Sequence, residues 1–298
     1  MYRFLRFVLA LAAKLPLSLL HAVGTVLGWV IYGISPTYRR HMRENLAQAG
    51  FRPPEEMLRI RREAIASAGR MITEIPALWF RPHQEVAAMV REAAGVEAAL
   101  AAREQGKTLL LLTPHMGCFE ITAQYAARHA PITVLYRAPK VGILEPLMRE
   151  GRSRPNVRLV PANLGGVREM FAALKRGEPL GLLPDQVPGE GEGEWVEFFG
   201  RPAYTMTLAA KLAARPDVAC FLVYGRRLER GQGYAMMLRP LPPALPGEKP
   251  ARRLNRAIEE LVRECPGQYL WGYNRYKTPR GAKPPPGAGG ENAPRPLQ

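Results

Sequence analysis

Acidic residues are scarce in this 298-residue chain: 26 Asp and Glu stand against 42 Lys and Arg, a formal net charge of +16. A balance that basic points to an anionic partner, either a phospholipid surface, nucleic acid or an acidic protein, and is silent on fold. Cysteine is scarcer still. Cys118, Cys220 and Cys265 are odd in number and far apart, a pattern that argues against a disulfide framework and suits a reducing compartment. There is no CxxC, no Cys/His cluster and no H-E-x-x-H, so no metal is expected. Nor is there a recognisable nucleic-acid module. The basic residues spread along the whole chain instead of clustering in one element, which argues against nucleic acid as the partner. No internal repeat is visible.

Charge of either sign is missing from one stretch. Leu15 to Tyr38 contains no Asp, Glu, Lys or Arg, which is long enough for the ~20 residues a spanning helix needs. Pro16, His21, Gly24, Gly28 and Gly33 dilute it, and basic residues flank both ends: Arg3, Arg6 and Lys14 before, Arg39, Arg40 and Arg43 after. Positive charge on both sides gives no orientation. Lys14 interrupts the early apolar stretch, which speaks against a cleaved signal peptide. A spanning anchor, an amphipathic segment in the interface and a buried helix remain open. The basic flanks suit anionic head groups and favour membrane attachment. Residues 1–38 are therefore expected to be a membrane anchor helix, 39–278 an α/β domain and 279–298, rich in Pro and Gly, a disordered tail.

From Pro54 to Arg103 the spacing of Met57, Ile60, Ile65, Met71, Ile72 and Ile75 predicts helix, kinked at Pro76 and Pro82. From Thr108 the pattern changes. Short apolar runs at 109–112, Ile132–Arg137, Val157–Pro161, Pro179–Asp185 and Val218–Gly225 alternate with helical stretches such as "VGILEPLMRE", "GGVREMFAALKRG" and "TMTLAAKLAAR". That alternation predicts crossover units, hence a mostly parallel central sheet flanked by helices. Gly233–Pro240 reads as an additional strand, antiparallel to the rest. Ala251–Cys265 reads as a helix whose apolar face is Leu254, Ile258 and Leu261.

The run "LLLLTPHMGCFE" (Leu109–Glu120) draws attention to chemistry. A histidine at the carboxyl end of a buried strand, just before a helix, sits where open α/β sheets place their ligands. On one regular helix, five residues would rotate His115 and Glu120 ~140° apart. If His115 instead precedes the helix and Gly117 makes the turn, Glu120 can reach back to the imidazole. A carboxylate on one ring nitrogen fixes the tautomer, and the other nitrogen can then take a proton from a hydroxyl. Spacing alone equally allows a core histidine beside a helix-capping glutamate.

More of the chain bears on the choice. "TPHMGCFE", "VLYRAPK", "GRSRPNVRLVP", "GLLPDQVPGEGEGEWVEFFGRPAYTMTLAAKLA" and "YLWGYNRYKTPRG" together resemble the late acyltransferases of bacterial lipid A biosynthesis, lauroyl and myristoyl transferases of the lysophospholipid acyltransferase superfamily. The likeness runs in order through nearly the whole chain. It implies a membrane-associated O-acyltransferase at the cytoplasmic face of the inner membrane. The acyl donor would be acyl carrier protein thioester, the acceptor a hydroxyl of a lipid A precursor, and no cofactor would be needed.

Laid on this sequence, the resemblance implies His115 as general base and Glu120 as its orienter. Arg152, in "GRSR", would hold phosphate or the developing oxyanion, although Arg149, Arg154 and Arg158 stand close by. Asp185, in "LLPDQ", would face the same sheet edge as His115, with a turn or N-cap aspartate as the plainer reading. Arg137 would be a further contact to phosphate or carrier. Cys118-Phe119 and Val187-Pro188 depart from the family's usual residues, and Glu190, Glu192 and Glu194 would weaken contact with an anionic acceptor. Trp195, Phe198 and Phe199 would line an acyl groove or belong to the core. Acyl transfer to another lipid (lysophospholipid, aminolipid or glycolipid) and a non-catalytic basic membrane protein are the competing functions.

Overall fold

The structure, a computed structural model, describes residues 1–285 apart from 140 and 143. Its centre is β2 (Thr108–Leu112), the apolar run that precedes His115, and every residue of it is buried. Successive side chains of a strand point to opposite faces. Accordingly Leu110 and Leu112 enter one core, while Leu109 and Leu111 enter another on the far side of the sheet. Burial on both faces is what a continuous apolar strand reports.

Six more strands complete the sheet: β1 (Val90–Ala94), β3 (Ile132–Tyr136), β4 (Val157–Pro161), β5 (Leu180–Leu182), β8 (Val218–Arg227) and β9 (Tyr234–Pro240). The spatial order is β1-β9-β8-β2-β5-β3-β4. All neighbours are parallel except β8 and β9, which run antiparallel. The mostly parallel sheet and the antiparallel Gly233–Pro240 strand are thus as the sequence reading expects.

Helices cover both faces. On one side lie α3 (Pro36–Ala49), α4 (Pro54–Thr73), α10 (Leu164–Lys175), α11 (Thr207–Ala213) and α12 (Pro250–Glu264), which bury Leu46, Ile60, Met170, Leu212 and Ile258 in one core with Leu110 and Leu112. The expected apolar face of α12, Leu254, Ile258 and Leu261, is buried there. On the other side lie α5 (Ile75–Phe80), α6 (His83–Ala88), α7 (Val96–Glu104) and α8 (Glu120–Ala126), with Leu78, Val86, Ala99 and Ile121 in the core of Leu109 and Leu111. The remaining helix of the parallel unit, α9 (Leu144–Arg152), runs between β3 and β4.

Two segments differ from expectation. Val90–Ala94, "VREAA", lies in the stretch read as helix but forms the edge strand β1, which among the described residues pairs with β9 alone. Its residues carry no strand signature; pairing with β9 overrides their local preference. The second is a separate hairpin, β6 (Gly193–Phe198) and β7 (Arg201–Met206). Its two-residue turn, Phe199-Gly200, has positive φ at both positions (48° and 73°), the geometry that matches the twist of a tight hairpin. Phenylalanine is an unusual occupant there. It is held by burial against Phe198 and Trp271, by its N–H donated to Glu259 at 2.8 Å and by Gln48 donating to its carbonyl at 2.7 Å. Phe198 and Phe199 therefore belong to the core, and Trp195 packs edge-on against Tyr204.

At the amino terminus Pro16 separates α1 (Tyr2–Ala12) from α2 (Leu17–Ile34), and Ser35 caps α3 by accepting from the Tyr38 N–H at 3.3 Å. Helix α2 lies along α4 through glycine contacts. A Cβ on Gly24 would come within 2.6 Å of the Arg70 Cα, and one on Gly69 would overlap the Gly24 carbonyl. At the other end, residues 279–285 pass beside β6, where Trp195 Nε1 donates to the Lys283 carbonyl at 2.9 Å. The rest of the expected tail, 286–298, lies outside the described residues.

Candidate active site

Strands β2 and β5 are parallel neighbours with Leu112 opposite Leu182. Their carboxyl ends therefore share an edge. The Thr113 N–H continues the pairing to the Leu182 carbonyl at 3.0 Å, and each chain then leaves the sheet, one towards His115 and the other towards Asp185. The two meet. Asp185 Oδ2 accepts the His115 backbone N–H and Oδ1 accepts the ring Nδ1–H, both at 2.8 Å.

An ionised carboxylate only accepts, so this contact fixes the proton on Nδ1 and leaves the Nε2 lone pair directed outward. The Gln186 side-chain amide nitrogen donates to that Nε2 at 3.0 Å. Burial by itself would raise the Asp185 carboxyl, but the adjoining His115 ring, the two hydrogen bonds from His115 and the more remote Arg275 hold it below the ordinary aspartate value. Asp185 is thus the carboxylate that meets the imidazole.

The turn carrying His115 is fixed on three sides. The Gly117 N–H donates to the Gln268 carbonyl at 2.8 Å and the Cys118 N–H to the Gly225 carbonyl at 2.7 Å. Arg227 Nη2 donates to the Gly117 carbonyl, also at 2.8 Å. Gly117 has φ 55°, and a side chain there would overlap the Gly225 carbonyl, so the position requires glycine.

Glu120 does begin a helix, α8, as the sequence reading expects, but the two nitrogens of the imidazole have other partners, Asp185 and Gln186. The Glu120 carboxylate accepts from Arg152 Nε at 2.9 Å and Nη2, and from Trp79 Nε1 at 3.1 Å. Fork geometry of this kind is the strong form of an Arg–carboxylate pair. Burial would lower the Arg152 pKa, but the Glu120 charge and hydrogen bonds outweigh it and raise the guanidinium above its usual value. The expected His115–Glu120 contact is therefore replaced by two pairs, His115–Asp185 and Arg152–Glu120. The neighbouring arginines have other surroundings. Arg154 donates to the Leu78 and Trp79 carbonyls, Arg158 is paired with Glu169 on the surface, and Arg149 is exposed.

His115 from one pair and both members of the other border one cavity of about 200 Å³. His115, Gln186, Glu120, Arg152 and the exposed Arg137 supply its polar wall, while Leu111, Ile132, Val134, Leu159 and Leu182 supply an apolar one along the sheet. A basic nitrogen, a fixed cation and an apolar slot thus open on the same space. Trp195, Phe198 and Phe199 are not among its lining residues.

Such a site suits acyl transfer to a hydroxyl, and comparison with known proteins gives it a family. Residues 3–278 match the bacterial lipid A biosynthesis acyltransferases. The chain belongs to that family. It is similar to the lipid A biosynthesis lauroyltransferase of Escherichia coli K12, with 26% identity over 91% of this chain and 89% of the relative. The palmitoleoyltransferase of the same organism is 25% identical over the same shares. A lipid A biosynthesis acyltransferase of Haemophilus influenzae is 26% identical over 59% of this chain and 56% of its own length. This is therefore an enzyme that transfers acyl groups.

Two members of the acyltransferase's site escaped residue-level reading. Gln186 stands in "PDQ" beside Asp185, and its contact to Nε2 becomes legible only once the strand ends are known. Trp79 carries no local signal at all; it reaches Glu120 because α5 packs against α8 and α9.

Proposed function

We propose that the enzyme moves a fatty acyl chain from an acyl carrier protein thioester to a hydroxyl of a lipid A precursor, at the cytoplasmic face of the inner membrane. The carrying observation is the His115 ring, held by Asp185 at Nδ1 and opening through Nε2 onto a cavity with an apolar wall. In this reading the acceptor hydroxyl displaces the Gln186 amide from Nε2. Its oxygen attacks the thioester carbonyl carbon while Nε2 takes the proton. The negative charge passes to the carbonyl oxygen, the C–S bond then breaks, and the leaving thiolate recovers the proton from the imidazolium. Asp185 offsets the positive charge on the ring throughout.

Glu120 has a different part from that of ring orienter. It fixes the Arg152 guanidinium on the cavity wall, where a cation can meet the phosphate of a glycolipid or the oxyanion. Arg137 is exposed at the cavity, and in this reading it meets a phosphate or the acidic carrier. The basic surface favours both anionic substrates. The names of the relatives support a lipid A precursor as acceptor. The test incubates purified enzyme with acyl carrier protein thioester and lipid A precursor, and follows the product by mass spectrometry. Acylation of lysophospholipid but not of the precursor would remove the acceptor assignment and leave the reaction class standing.

A further inference from the structure

We infer that α1 and α2 lie in the plane of the membrane interface, as a two-helix apolar face embedded from one side, and that neither crosses the bilayer. This rests on the membrane attachment proposed above and states its geometry.

Among the described residues, Leu17–Ile34 is the helix apolar and long enough to span. Its length of about 27 Å comes close to a hydrocarbon core of ~30 Å. What forbids spanning is its neighbour. Helix α2 packs along α4 at glycine distances, through Gly24, Gly28 and Gly69. Hydrogen bonds reinforce the contact: Thr73 Oγ1 to the Leu20 carbonyl at 2.6 Å, Arg70 Nε to Thr25 Oγ1 at 3.0 Å, and buried His21 Nε2 with Glu74 Oε2 at 3.2 Å. Helix α4 carries Glu55, Glu56, Arg59, Arg61, Arg62, Glu63 and Arg70. Were α2 to span, this row of charges would enter hydrocarbon beside it, where each is costly.

The opposite side of α2 is free. Leu17, Leu20, His21, Gly24 and Gly28 are buried, whereas Leu19, Val23, Val26, Val30 and Ile34 are exposed on the other face. Helix α1 repeats the pattern with Phe4, Phe7, Val8 and Leu11 exposed. It too is tied to the body: Tyr2 and Arg6 bond Glu150 on α9 at 2.8 Å, two residues from Arg152. The apolar face thus adjoins the helix that brings Arg152 to the cavity. Arg3, Lys14, Arg40 and Arg43 are exposed near it, so the occupant that matches both apolar stripe and charge is an anionic lipid surface.

The test uses the full-length enzyme expressed in a Gram-negative cell, with single added cysteines at the two ends of α2, Lys14→Cys and Thr37→Cys. A membrane-impermeant maleimide is applied to spheroplasts and to inverted inner-membrane vesicles, with the unsubstituted chain as background. In-plane docking predicts that both positions label in inverted vesicles and neither in spheroplasts. Labelling of one position in each preparation means that α2 spans, and overturns the inference. Labelling of both only in spheroplasts keeps the in-plane geometry and overturns the cytoplasmic location instead, so the two failures are distinguishable. A second variant, Val26→Glu, alters an exposed side chain; it should release most of the protein from vesicles containing phosphatidylglycerol at an unchanged melting temperature. Retention on those vesicles would also overturn the docking face.

Discussion

The Asp185 carboxylate grips His115 twice, at the ring Nδ1 and at the backbone nitrogen, each at 2.8 Å. One side chain thereby sets both where the base stands and which nitrogen carries its proton. Asp185→Asn should keep the fold but lower kcat by ~10²–10⁴-fold, because an amide can donate to Nδ1 and drive the proton to Nε2. His115→Ala should lose at least as much. The measurement is single-turnover acyl transfer alongside thermal melting. With an unchanged melt, a near-normal rate in His115→Ala removes His115 from the role of base, and one in Asp185→Asn removes Asp185 from that of its orienter.

Glu120 should behave differently from Asp185, because its partner is Arg152. Losing the carboxylate that keeps the proton on Nδ1 should make Asp185→Asn act on kcat and leave KM nearly in place. Glu120→Gln should instead raise KM for a phosphorylated acceptor, because it loosens Arg152. Its effect should also be non-additive with Arg152→Gln, since two residues in direct contact couple by ~0.5–3 kcal/mol. A loss in kcat alone for Glu120→Gln, combined with additive effects, would restore Glu120 as the ring's orienter.

How far the site could be read from the sequence follows from these two pairs. The buried strand before His115, the Gly117 turn and the start of a helix at Glu120 are local features, and each shows in "LLLLTPHMGCFE". That Asp185 shares the edge follows from two apolar runs ending in comparable ways. Which carboxylate meets the ring does not, because it depends on β2 and β5 being neighbours in register, a relation between residues far apart in the chain. Strand β1 was hidden for a similar reason: "VREAA" is extended only because β9 lies beside it. The β6–β7 hairpin was hidden because Phe199, held by tertiary packing, fills a turn position where Asn or Gly is the usual signal.

A second buried carboxylate sets the behaviour in acid. Glu74 is fully enclosed; burial would raise its pKa, but Arg227, with help from His21, pulls it down to about 2. A depressed folded-state pKa means the unfolded chain binds the proton more tightly. The resulting stability is complete above the ordinary glutamate value, near 4.5, and is lost as pH falls from there towards 2. Glu74→Gln should therefore be less stable at pH 7 and flatten the dependence of stability on pH across that window. Because Arg227 also holds the Gly117 carbonyl, the same variant should reduce kcat. Denaturant melts at pH 3 to 7 check the first point; an unaltered pH slope would contradict it.

The amino-terminal helices should prove part of the folded body and not a detachable anchor. Leu17 and Leu20 are buried in the core beside the sheet, and His21 completes the Glu74 network. Deleting residues 1–38 would remove Leu17 and Leu20 from that core, uncover the glycine face of α4 and leave a buried carboxylate short of one partner. The truncated chain should then melt at lower temperature than the full chain and lose activity even in detergent, where membrane release alone has no effect. A subtler variant isolates the packing. A methyl group at Gly69 would overlap the Gly24 carbonyl and come within 2.8 Å of the Gly28 Cα if nothing moved. Overpacking of this kind costs about 1–3 kcal/mol, so Gly69→Ala should destabilise the protein by that order without touching any residue of the cavity. A truncated enzyme with full stability and full activity in detergent would show that α2 is only an anchor.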